Sequence, residues 1–110
     1  MTLLTELTDL VTELDNNNGY PYHLPENLFI RFHRFRKAMQ LVASTINDRK
    51  GRAFLRKYET GERGEQLDRL QPNMQLERPL LLLMLEFSQD ADQMERYLKQ
   101  SKKRPNGFLN

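Results

Sequence analysis

Leucines recur near the start of the chain at Leu3, Leu7, Leu10 and Leu14, spaced four, three and four apart. A helix turns once in about 3.6 residues, so this spacing puts them on one face and predicts an amphipathic helix from Thr2 to Asp15. Asn16, Asn17, Asn18 and Gly19 follow, residues that tolerate the left-handed backbone at which helices end.

The rhythm resumes after Pro25, which suits a first helical position because its missing N–H has no partner to lose there. Glu26 complements the positive end of the helix dipole. Leu28, Phe32, Phe35, Met39, Val42 and Ile46 then repeat the four-three spacing, and Phe29, Ile30 and Leu41 beside them predict a second buried face. Asn47-Asp48 and then Gly51 mark the predicted end. From Gly51 to Arg78 the pattern breaks at Gly61, Gly64 and Pro72. Two short helices are predicted, Arg52 to Glu59 and Gly64 to Gln71, with a hairpin centred on Gly61 as the alternative.

Pro79 opens the last helix, and Leu80, Met84, Phe87, Ala91, Met94 and Leu98 carry the seam to about Lys102. Ser88, Asp90 and Asp92 have the chemistry of a fresh cap, but the seam crosses them without a phase change, which predicts one continuous helix. The expected fold is therefore all-α: a helical bundle on two long heptad-patterned helices of about 24 residues each, roughly 36 Å long, plus the shorter N-terminal helix. Residues 1–102 form the expected single domain and 103–110 a mobile basic tail. Leucines at 80 to 83 and 85 surround their helix and need cover on several sides, which predicts a homodimer that combines the long helices.

Composition bounds this picture. The chain has 110 residues, 38% hydrophobic and 29% charged, enough for one core under a heavily charged surface. Its longest apolar run, Leu80 to Leu85, is far short of the ~20 residues that cross a bilayer, so no membrane partner is expected. With no cysteine there is no disulfide framework and no thiolate site, and no apolar leader follows a basic start. A cytoplasmic location is the expectation.

Charge changes the picture more. From Met1 to Ile30 there are five acids and no lysine or arginine, whereas Arg31 to Lys57 holds nine bases against Asp48 alone. Such asymmetry bears on partners. Within the basic segment, Arg49, Arg52 and Arg56 stand three and four apart and share a face if helical, flanked by Lys50 and Lys57. A ridge of this kind suits a phosphate backbone, each contact releasing condensed counterions. The competing reading is a solvated face partly paired with Glu59, Glu62 and Glu65, with the acidic first helix packed beside the basic second one. Arg31, Arg34 and Arg36 alternate with Phe29, Phe32 and Phe35, but the last two rings fall on the seam and read as core. Lys102, Lys103 and Arg104 add either an electrostatic arm or a solubilising end.

Little else carries chemistry. His23 and His33 lie ten apart, without the i, i+4 pairing of a helical metal site, and read as a turn residue and a flank residue. No nucleophile motif or phosphate-cradling glycine loop is present, so the sequence predicts a non-enzymatic protein with no cofactor and no metal. Tyr20 and Tyr22 around Pro21 suit either a docking loop for a protein partner or a cap over the bundle end. The leading expectation is a nucleic-acid-binding regulator or shielding protein that contacts DNA or RNA through Arg49, Lys50, Arg52, Arg56 and Lys57. A protein-interaction module, adaptor or inhibitor, is the alternative, and a structural assembly subunit the third.

Overall fold

The computed structural model describes residues 2–16, 22–46 and 48–103. Among the described residues five helices follow one another: α1 (Leu3–Asn16), α2 (Glu26–Ile46), α3 (Arg49–Tyr58), α4 (Gly61–Asp68) and α5 (Arg78–Lys103). Two very short strands, β1 (Tyr22–His23) and β2 (Gln75–Leu76), make an antiparallel ladder with Tyr22 opposite Leu76. The fold is thus predominantly helical. Tyr20 and residues 104–110 of the basic tail lie outside the described residues.

The leucine stripe of α1 works as its spacing implies. Leu7 and Leu14 are buried, Leu3 and Leu10 pack partly against the core, and the helix lies mainly on α5. Arg78 at the start of α5 donates two hydrogen bonds to the Asp15 carboxylate, at 2.8 and 3.2 Å. α2 packs instead on α3. It buries Leu28, Phe32, Met39 and Ala43, while Phe35 and Val42 from the predicted seam are only half-buried.

α5 is the long central element, 26 residues against 21 in α2. Its seam continues through Ser88, which is buried and satisfied by donating to the Met84 carbonyl at 2.9 Å. A hydroxyl satisfied by the carbonyl one turn back no longer competes for a backbone N–H as a capping side chain would. Phe87, one residue earlier, is the hub of the core. Its ring meets Phe32 and Phe35 of α2 and Phe54 and Tyr58 of α3, all with centroids 5.1 to 5.9 Å away. Such tilted and edge-on pairs add to plain burial. α2 and α5 therefore meet through large rings.

The leucines that predicted a second copy are covered in part by the chain itself. Leu81 and Leu83 are buried, and Leu80 and Leu85 are half-buried against the same core. Leu41, by contrast, is 66% exposed on α2, so the second buried face expected there is not formed at that position.

Two boundaries differ from the sequence reading. Asp48 begins α3 by accepting a hydrogen bond from the Lys50 N–H at 2.8 Å, so the helix starts three residues before Arg52, where its start was expected. Gly51 then sits inside its first turn as a contact residue: a Cβ there would stand 2.7 Å from the Ala43 carbonyl oxygen. α4 likewise starts at Gly61, whose φ of +68° gives the tight link from α3. The ladder is a third difference. Beyond its two paired residues, the Leu24 N–H donates to the Met74 carbonyl and the Asn73 N–H to the Leu24 carbonyl, at 2.9 and 2.7 Å, tying the approach to α2 to the approach to α5.

Candidate nucleic-acid interface

α3 is ten residues long and contains no acid. Gly51, Phe54 and Tyr58 stand three and four apart and turn into the core. Arg49, Ala53 and Arg56 fall on the opposite face, with Arg52 on one flank and Lys50 and Lys57 on the other. All five cations predicted for the ridge are exposed on this one helix. Arg49 and Arg56 are two turns apart, about 10 Å at 1.5 Å per residue.

Their surroundings differ. Lys50 extends over the Tyr97 ring, 4.3 Å from its centroid. Lys57 pairs with Asp90 at 2.8 Å and Glu86 at 3.4 Å, and also lies 5.2 Å from the Tyr58 ring centre. Both lysines are thus drawn toward α5. Arg49 and Arg56 make no ion pair among the described residues. Of the acids expected to pair with the ridge, Glu59 turns to α2: Arg36 grips both its carboxylate oxygens, at 2.9 and 3.2 Å, and reaches Asp68 at 2.9 Å. Gln40 donates to the same Glu59 carboxylate at 2.9 Å. Arg36 and Glu59 have side chains only 11% and 12% exposed, and a two-pronged guanidinium–carboxylate pair is the geometry that suits such burial.

The basic segment is therefore partly neutralised inside the fold. Arg31 pairs with Glu6 of α1, and Arg36 and Lys57 are engaged as described. Arg34 and Lys37 are exposed on α2. Phe32 is buried and Phe35 sits against Phe87, as core, while Phe29 stacks on the exposed His33 with centroids 5.7 Å apart. His23 is exposed on β1. Tyr22 is half-buried in the ladder against the core. Its hydroxyl is pushed above the usual tyrosine range by burial first, then by Glu13 and Glu6.

The sequence did not disclose Asp90 as a partner of α3. The Tyr58 hydroxyl and the Lys57 ammonium both donate to one of its oxygens. Burial of Asp90 opposes its charge, but these two hydrogen bonds prevail and hold its carboxyl below the ordinary 3.8. Tyr58 is raised far above its ordinary value, chiefly by burial and then by Asp90. Lys57 is raised above 10.5 by its bond to Asp90. These shifts favour an ionised Asp90 beside a protonated Tyr58 and Lys57, and the two hydrogen bonds tie α3 to α5. A spacing signal existed in Glu86 and Asp90, four apart on the polar side of α5, but nothing in sequence says which helix faces them.

A cleft of about 140 Å³ beside Arg36 is lined by Phe29, His33, Lys37 and Leu67. With Arg36 saturated by Glu59 and Asp68, it offers no unengaged guanidinium. No group of three or more histidines or carboxylates suited to a metal gathers among the described residues. No described helix is long and apolar enough to cross a membrane.

Against known protein families, curated proteins and solved structures, the chain matches none. Its own geometry must carry the functional reading.

Proposed function

We propose that the protein binds nucleic acid without catalysing a reaction, as a regulator or shielding protein that grips phosphates along the exposed face of α3. The observation that supports this most is the arrangement of Arg49, Lys50, Arg52, Arg56 and Lys57 on one short helix without an acid, anchored from behind by Gly51, Phe54 and Tyr58. A helix fixed by its core face holds its cations at a set spacing, which lowers the cost of ordering them on a backbone. Lys57 shares its charge with Asp90 and Glu86, so Arg49 and Arg56 are the principal contacts. The contacts address phosphates and carry no sequence information by themselves.

Retention on a polyanion column tests the proposal. Phosphate binding falls steeply between about 50 and 200 mM salt, whereas an apolar docking contact does not. A protein that flows through at low salt is not a phosphate binder, and the protein-docking reading then takes its place.

A further inference from the structure

Beside the ridge lies a groove of about 240 Å³ between α3 and α5. Ala53, Phe54 and Met94 give it an apolar lining. Gln93 stands at its side with a carboxamide that both donates and accepts, and Lys50 and Lys57 stand two turns apart along its α3 wall. Asp90, the one acid that lines it among the described residues, is offset by Lys57 and the Tyr58 hydroxyl. Ala53 belongs at once to this groove and to the face that carries Arg49 and Arg56.

We infer that this groove accepts an unpaired base of a strand whose phosphates lie on Arg49 and Arg56, so that the ligand is single-stranded nucleic acid. The inference rests on the phosphate-binding reading of α3 and adds the form of the ligand. Charge complementarity selects the occupant. Lys50 and Lys57 line the groove's α3 wall and Arg49 and Arg56 stand on the adjoining face of the same helix, so a ligand seated on the apolar lining is favoured when it carries negative charge along α3. A strand of nucleic acid has that combination, a flat apolar base on an anionic backbone. In a duplex the bases are stacked and paired, and turning one out costs a few kcal/mol; in a single strand the bases are already free to splay outward. The groove rewards a base that a single strand presents at little cost. Gln93 meets the polar edge of the base without demanding one identity.

The test uses the whole protein and three probes of about 15 nucleotides: an oligothymidine strand, a strand of the same length with abasic sugars, and a duplex. At about 50 mM salt the oligothymidine strand is expected to bind at least fivefold more tightly than the abasic strand and more tightly than the duplex. Ala53→Leu, an exposed helical position that accepts leucine without loss of helix, fills the groove and should bring oligothymidine affinity down toward the abasic value. If the abasic strand and the duplex bind as tightly as oligothymidine, the groove takes no base; the inference is overturned and the phosphate ridge stands. If none of the three binds, ridge and groove fall together.

Discussion

The Tyr58 hydroxyl of α3 and the Asp90 carboxylate of α5 are joined by a hydrogen bond, and Lys57 closes on the same carboxylate oxygen at 2.8 Å. This is the polar counterpart of the ring cluster at Phe87, and it fixes the helix that carries the candidate ridge. Asp90 is held below its ordinary 3.8, so its contribution to stability is present above that value and is lost as pH falls through the depressed one. Asp90→Asn is expected to cost up to about 1.5 to 3 kcal/mol near pH 7, the range for a hydrogen bond to a charged group. In urea unfolding, the gap between wild type and variant should narrow below about pH 4. A gap that stays constant on acidification would show that the Asp90 charge does not hold α3.

The ring cluster makes a graded prediction. Phe87 is fully buried and contacts four other rings, so Phe87→Ala should cost about 3 to 5 kcal/mol. Phe35 is half-buried and meets the Phe87 ring, so Phe35→Ala should cost less, about 1 to 3 kcal/mol. Equal losses in chemical denaturation would contradict the placement of Phe87 at the centre.

Periodic burial was the legible part of this fold. The seam through Met84, Phe87, Ala91 and Met94 predicts a continuous α5, and the structure shows it unbroken through a buried Ser88. Arg49, Arg52 and Arg56 share an exposed surface of α3 because their spacing matches the helix. What stayed hidden depended on contacts between segments distant in sequence. Glu59 adjoins the ridge in sequence yet pairs with Arg36 of α2, and Lys57 finds Asp90 thirty-three residues away. The Tyr22–Leu76 ladder is too short to show an alternating pattern. Gly51 read as a helix breaker because its reason, the nearby Ala43 carbonyl, lies on another helix.

That close approach is itself testable. Alanine ordinarily stabilises a helix interior by about 1 kcal/mol over glycine. At Gly51 the added methyl would stand 2.7 Å from the Ala43 oxygen, a backbone atom that cannot swing aside. Gly51→Ala should therefore destabilise by about 1 to 3 kcal/mol, as overpacking does. A rise in melting temperature would mean that α2 and α3 do not approach closely at this point.

The central claim concerns the exposed face of α3, and reversing Arg49 and Arg56 to glutamate tests it most directly. Both residues are exposed and make no ion pair among the described residues, so stability should change by less than about 1 kcal/mol. Binding of a labelled oligonucleotide, followed by fluorescence polarisation, should weaken at least tenfold at about 50 mM salt, and the slope of log affinity against log salt should fall by about one per contact removed. Unchanged affinity in a folded double variant, or a wild-type protein that binds no oligonucleotide at that salt, would contradict the account.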